Sequence, residues 1–155
     1  MLQSARLVKL LATWGGVGLS PVAPGTMGSL AALPFCYLLS FSGGSATWVI
    51  LALFSALTVG ICHRAEKIFN RQDPGCIVID EVAGQLVALA AIPLTWTTAA
   101  AGFLLFRGLD IAKPPPIGWI DRHLPGGAGI TADDLAAGLM ANLILRAGIF
   151  IYGLM

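Results

Sequence analysis

Apolar residues run along this chain in long uncharged stretches, and charge is confined to the segments between them. A helix that crosses the hydrocarbon core of a bilayer needs about 20 residues, and four regions approach that length. Residues 27–41, a little short, are followed by the break Ser42-Gly43-Gly44-Ser45, and 46–62 then resumes without a charge, so the two predict a helical hairpin. Residues 82–106 are 25 uncharged positions that read either as one long span or as two short helices broken at Pro93-Leu94-Thr95-Trp96. Two helices are preferred: starting the first near Ile77 and ending the second near Ile111 lets each cross where the bilayer thins or the helices sit deep. Residues 135–152 make a last span interrupted only by Arg146, which is expected to pair inside the bundle; Gly138, Gly148 and Gly153 permit close packing there.

The expected fold is therefore all-α, a polytopic membrane bundle of about five hydrophobic helices in a single membrane-embedded domain over residues 1–155. Composition agrees: 57% of residues are hydrophobic and 11% charged, against roughly 25% charged in an ordinary soluble protein. A soluble globule of this size could not cover its surface with so few polar groups. Arg6 and Lys9 precede an apolar stretch that Trp14, Gly15, Gly16 and Pro21 interrupt early, which reads as a retained segment and not a cleaved signal peptide. A net charge of +1 offers no field to attract nucleic acid, and three cysteines without CxxC spacing argue against a disulfide framework or a zinc site.

The distribution of charge says more than its sum. Charges occur at Arg6 and Lys9, in 64–81, in 107–134 and at Arg146, while the intervening hairpin tips carry none. Two hairpins return the chain to its starting side, so the first three charged segments face one compartment, and their Lys and Arg content makes that side cytoplasmic. A single span over 82–106 would instead split the two acid-rich segments across the membrane.

Those segments hold the candidate chemistry. Ile79-Asp80-Glu81-Val82-Ala83-Gly84-Gln85 places two acids at the start of a hydrophobic helix, with Glu81 and Gln85 one turn apart on one face. Capping of the helix dipole, worth about 0.3–1 kcal/mol, would explain them locally. Ala132-Asp133-Asp134-Leu135-Ala136-Ala137-Gly138 repeats the arrangement before the last span, and in each doublet the first acid has a small residue four positions later, Gly84 or Ala137. If the two helix starts pack together, four carboxylates meet, and like charges held closely need a cation or bound protons. Magnesium suits such a site because it takes one or two carboxylates, keeps several waters and accepts phosphate oxygens.

Between the doublets, Arg107, Asp110 and Lys113 recur at three-residue intervals before Pro114-Pro115-Pro116 stops the helix. This stripe is either an interfacial salt-bridge ladder or a phosphate clamp beside a metal ligand. Asp121-Arg122-His123 follows, and Pro125-Gly126-Gly127-Ala128-Gly129 reads as a glycine-rich turn leading into the second doublet. It matches neither a Walker loop nor a dinucleotide fingerprint. Near the N-terminus, Pro21-Val22-Ala23-Pro24-Gly25-Thr26-Met27-Gly28-Ser29 enters the first long apolar helix, with Thr26 as its expected N-cap and free N–H groups suited to an anion.

Several routes to phosphate chemistry are excluded. No cysteine is followed six positions later by arginine, there is no DxDx[TV] motif for an aspartyl-phosphate mechanism, and no histidine pair has a phosphohistidine context. The DGxxAR signature of lipid phosphotransferases is also missing, since Leu135 follows Asp134 and Leu139 stands where that motif has arginine. Metal and carboxylates remain.

Ala23-Pro24-Gly25-Thr26, Ile79-Asp80-Glu81, Asp110-Ile111-Ala112-Lys113-Pro114 and Gly129-Ile130-Thr131-Ala132-Asp133-Asp134 resemble, in family order, the phosphatidylglycerophosphatase A family, over roughly residues 14–142. Two positions depart from its pattern: Val22 where a basic residue often precedes Ala-Pro-Gly-Thr, and Thr131 where methionine often follows Gly-Ile. The resemblance implies a magnesium-dependent, multi-pass inner-membrane lipid phosphatase that converts phosphatidylglycerophosphate to phosphatidylglycerol in phospholipid biosynthesis. On that reading Glu81, Asp133 and Asp134, with Asp80 or Asp110 completing the set, bind magnesium directly or through water. One carboxylate among Asp80, Glu81, Asp110 and Asp134 handles the proton of the attacking water or attacks directly, and Thr26, Ser29, Arg107, Lys113 and Arg122 bind substrate. The competing class is a non-catalytic carrier with an acidic cation site, which would place its ionisable groups near mid-membrane instead of at helix ends.

Overall fold

In a computed structural model describing residues 2–153, the chain is all-helical, and no strand occurs among the described residues. A short helix α1 (Leu2–Ala12) ends where the Thr13 hydroxyl bonds back to Lys9 O at 2.9 Å. A 3-10 turn (Val17–Leu19) leads to α2 (Pro24–Leu39), and α3 (Gly44–Phe69) follows the predicted break, with Gly43 at φ 78°. Next come α4 (Ile79–Ala88) and α5 (Trp96–Ala112), joined through the predicted Pro93–Trp96 break; there Thr95 and Thr98 cap α5 reciprocally. The short α6 (Ile117–His123) and the long α7 (Gly126–Tyr152) complete the described chain.

Helices α3 and α7 are long and apolar enough to cross a membrane, at 26 and 27 residues, and α2 is a shorter apolar helix. Large apolar side chains stand exposed along them, among them Leu38, Leu53, Phe150 and Ile151, as on a surface that meets a membrane or another apolar partner.

Helix α4 departs from expectation. It has ten residues, about 15 Å, too short to cross a hydrocarbon core of about 30 Å. All of its residues except Glu81 are buried, because it is enclosed by α2, α3, α5 and α7. Its C-terminal carbonyls would be orphans at that depth. Asn142 Nδ2 donates to the carbonyls of Val87, Ala88 and Ala90 at 3.0–3.1 Å, and Arg146 Nη2 donates to those of Ala90 and Ala91 at 2.9 and 2.8 Å. Arg146 Nε in turn holds Asn142 Oδ1 at 2.8 Å. Arg146 therefore pairs inside the bundle, and its partners are backbone oxygens at a helix C-terminus, where positive charge is favoured.

Three other boundaries differ from the expectation. Helix α3 runs seven residues past Cys62, through Arg64, Glu66 and Lys67, because Ala65 stays buried and Phe69 packs with the same apolar cluster before Asn70 closes the helix at φ 49°. Residues 117–123, expected as loop, form α6. Most consequentially, α7 begins at Gly126 and not near the second acid doublet. Its glycines serve packing: a Cβ on Gly127 would lie 2.6 Å from Val59 O and 2.9 Å from His63 Cα, and one on Gly129 would meet the carbonyl of Leu124. Of the glycines expected to permit close packing in α7, only Gly138 does so; Gly148 and Gly153 have open space around them, and Gly153 instead ends the helix at φ 62°.

Candidate active site

Four elements converge at one end of α4. Asp80 and Glu81 lie in its first turn, as expected. Asp133 and Asp134 do not sit at a helix start: they are two turns inside α7 and are buried, at 5% and 4% exposure. The helix dipole acts within the first turn or so, so capping cannot account for them.

What joins the two helices is a glycine contact. Gly84 follows Asp80 by four residues and Gly138 follows Asp134 by four, so each acid and its glycine share a helix face. A Cβ on Gly84 would lie 2.7 Å from the backbone oxygen of Asp134, and one on Gly138 would lie 3.0 Å from the carbonyl carbon of Gly84. With the backbones this close, the two acids must face each other. One carboxylate oxygen from each of Asp80, Glu81 and Asp134 lies within 4.8 Å of the others.

This trio takes in three of the four expected metal ligands and leaves Asp133 outside it. Asp133, one residue and about 100° of helix rotation from Asp134, turns instead to Lys113, whose Nζ donates to Asp133 Oδ2 at 2.7 Å and to Asp121 Oδ1 at 2.5 Å. Partial burial alone would lower the pKa of the Lys113 ammonium, but its bonds to Asp121 and Asp133 outweigh that and raise it above the ordinary lysine value. Lys113 is thus held by two carboxylates.

Arg107 is differently placed. Its Nη1 donates to Asp110 Oδ2 at 2.5 Å, leaving Asp110 Oδ1 for another partner. A Cβ on Gly25 would meet Glu81 Oε1 and lie 3.2 Å from Arg107 Nη2, so the first turn of α2 abuts both groups. Asp110 is near enough to Glu81 and Asp134 for their charges to interact.

At the α2 start the capping expectation fails. Pro24 occupies the first helical position, where its fixed φ suits the helix, so the N-cap falls on Ala23 and Thr26 lies within the first turn. Thr26 is half-buried there, and the N–H groups of Gly25 and Thr26 have no helical carbonyl to bond. Ser29 is fully buried and donates its hydroxyl to Gly25 O at 2.9 Å, which commits its proton to the helix backbone. Arg122 is exposed on α6 and forms no ion pair among the described residues.

One participant was not singled out from the sequence, and another was noted only for its spacing. Gly25 lay inside a quoted motif, but its role is the close approach of α2 to Glu81. Gln85, fully buried one turn beyond Glu81, has neither amide atom bonded within the protein; only its spacing from Glu81 pointed to it.

The donor set fits a small divalent cation. Opposed ligands of a magnesium ion stand about 4.2 Å apart, from metal–oxygen distances of about 2.0–2.1 Å, a span that fits within the 4.8 Å bounding the three carboxylates. Asp80 Oδ1 and Glu81 Oε2 are also buried without a hydrogen-bond partner, as is Asp133 Oδ1 outside the trio. Buried carboxylate oxygens left so are costly, and a cation would satisfy the two in the trio.

Comparison with known proteins gives the same direction. A family model described as Phosphatidylglycerophosphatase A matches residues 10–149. A protein of Escherichia coli named phosphatidylglycerophosphatase A is 46% identical over 88% of this chain and 80% of its own length. One of the same name from Haemophilus influenzae is 40% identical over 90% of this chain and 87% of its own. A Bacteroides thetaiotaomicron protein, named as a candidate phosphatidylinositol-3-phosphatase, is 32% identical over 93% and 94%. No solved structure matches the chain.

Proposed function

This chain belongs to the phosphatidylglycerophosphatase A family, and on that premise we propose that it hydrolyses phosphatidylglycerophosphate to phosphatidylglycerol and inorganic phosphate in phospholipid biosynthesis, with magnesium held by Asp80, Glu81 and Asp134. The observation that carries this reading is the convergence of three carboxylates, two from α4 and one from α7, on one point, set by the Gly84–Gly138 contact. The ion supplies a Lewis acid that polarises the phosphomonoester and lowers the pKa of water at neutral pH.

The remaining steps belong to the protein. Arg107, beside Glu81 and the α2 start, stabilises charge on the phosphoryl oxygens, and the free N–H groups of Gly25 and Thr26 with the Thr26 hydroxyl receive another oxygen. Asp110 lies beside the carboxylate trio; Arg107 fixes one of its oxygens, and the other accepts the proton of the attacking water. Lys113 positions Asp133 and ties α5, α6 and α7 together beneath the site. Asp133 acts through this tie and not as a metal ligand.

In the cell we place the protein in the bacterial inner membrane as a multi-pass protein, with the site at the cytoplasmic interface. The support is the apolar length of α3 and α7 and the one-sided distribution of Lys and Arg. A lipid substrate keeps its acyl chains in the bilayer while its phosphate reaches the carboxylates, so no extraction step is needed.

The test is phosphate release from phosphatidylglycerophosphate by purified protein in detergent, with magnesium and with chelator, for wild type, Asp134→Asn and Asp110→Asn. The expected result is metal-dependent release, a raised magnesium requirement in Asp134→Asn, and in Asp110→Asn a kcat lower by about 10²–10⁴-fold at an unchanged magnesium requirement. Full activity in chelator, or in folded Asp134→Asn, would sink the assignment of the site.

A further inference from the structure

A cavity of about 800 Å³ opens between α2 and α5, lined by Leu30, Pro34 and Tyr37 on one side and by Trp96, Ala100 and Phe103 on the other. No lining residue carries a charge. The walls stay apart for local reasons. Pro34 lies inside α2, where its ring removes a backbone donor and crowds the preceding turn, and Ala100 offers no side chain to fill the gap from α5.

The position of this groove matters more than its size. The two helices that form it are the two that meet at the site, through Gly25 of α2 and Arg107 of α5. Leu30 follows Gly25 by five residues and Phe103 precedes Arg107 by four, so the groove opens about one helical turn from the phosphate-binding groups. Along α5 the lining runs from Phe103 to Trp96, about 10 Å of helix; with the turn that separates it from Arg107, its far end lies about 16 Å from the site, close to half of a hydrocarbon core of about 30 Å and so to the depth of one leaflet. Bulk lipid wets any exposed apolar surface of a membrane protein. A groove that begins one helical turn from a phosphate site and ends at the depth of one leaflet is placed to receive the rest of the substrate.

We propose that the α2–α5 groove seats an acyl chain of the lipid whose phosphate occupies the carboxylate site, so that it distinguishes a membrane-borne phosphomonoester from a water-soluble one. The proposal rests on the lipid phosphatase reading above. Chain binding in the groove acts on substrate affinity and orientation, because no reacting atom lies there.

The experiment fills the groove with Ala100→Trp and uses Ala147→Trp, on the exposed face of α7, as the control for a bulky apolar surface. Two quantities are read in detergent with magnesium: KM for dioleoyl phosphatidylglycerophosphate, and the inhibition constant of its deacylated head group as a competitor. Ala100→Trp is expected to raise KM about tenfold or more, a discrimination within reach of an apolar pocket, and to leave the head group's inhibition constant and the kcat for the lipid within about twofold of wild type. Ala147→Trp is expected to match wild type in both. An unchanged KM in Ala100→Trp overturns the proposal, as does an inhibition constant that rises in step with KM. If the wild type releases no phosphate from the lipid, it is the reading of the site that fails, and the groove proposal falls with it.

Discussion

Gly84→Ala is expected to abolish most activity while leaving the protein folded. A Cβ at this position would lie 2.5 Å from Phe106 Cε2 and 2.7 Å from the backbone oxygen of Asp134. Ordinary contact begins at 3.4 Å, so α4 and α7 must separate by about 0.7 Å at this point. Overpacking of this kind costs about 1–3 kcal/mol, partly offset by alanine's helix propensity, about 1 kcal/mol better than glycine's. The net loss of stability is then about 0–2 kcal/mol.

Activity is far more sensitive, because the displaced backbone carries Asp134 and the displacing helix carries Asp80 and Glu81. A misplacement of about 1 Å costs about 10²-fold in rate. The assay is phosphate release against magnesium concentration, with the thermal midpoint measured in the same detergent. Gly148→Ala serves as control, since nothing lies within 4 Å of its would-be Cβ. A Gly84→Ala protein with wild-type kcat and magnesium requirement would refute the claim that the glycine contact aligns the carboxylates.

Asp133→Asn is expected to lower the thermal midpoint while leaving the magnesium requirement within about twofold, in contrast to Asp134→Asn, because Asp133 holds Lys113 and lies outside the trio. Lys113→Met leaves Asp133 buried without its ammonium partner and is expected to cost about 1–3 kcal/mol of unfolding free energy. Since the folded pKa of Lys113 is raised, its contribution is fully present below the ordinary lysine value of about 10.4 and fades only as pH rises beyond it; a denaturant titration of wild type and variant near pH 7 reads the loss. Asn142→Leu removes the donor for the carbonyls of Val87, Ala88 and Ala90, and is expected to cost about 1–3 kcal/mol, read as a lowered thermal midpoint. An unchanged midpoint would mean that water or Arg146 already satisfies those oxygens.

The helix breaks were legible because each is built from local chemistry. Ser42-Gly43-Gly44-Ser45 needs the positive φ that Gly43 adopts, and Pro93-Leu94-Thr95-Trp96 combines a missing donor with a threonine cap. Helix starts set by tertiary packing were not. Gly126, Gly127 and Gly129 have the composition of a turn, yet Gly127 and Gly129 are glycine because α3 and the end of α6 press against them. The length of α4 was hidden for a related reason: residues 82–106 are uniformly apolar whether they span a membrane or are enclosed by other helices. Its end is marked only by Asn142 and Arg146, more than fifty residues away.

The phase of the second acid doublet shows how a pattern can be present and still be misread. Pairing the first acid of each doublet with a small residue four positions later matched Asp80 to Gly84 and Asp133 to Ala137. The structure matches Asp80 to Gly84 and Asp134 to Gly138. Alanine and glycine both count as small, but only glycine lets one backbone touch another, and here the contact is backbone to backbone. Once that contact fixes the rotation of α7, Asp134 must face Asp80 and Glu81, and Asp133, about 100° away, is left for Lys113. The same residue spacing therefore sets both the packing of the two helices and the division of their acids between a clustered trio and an ion pair with Lys113.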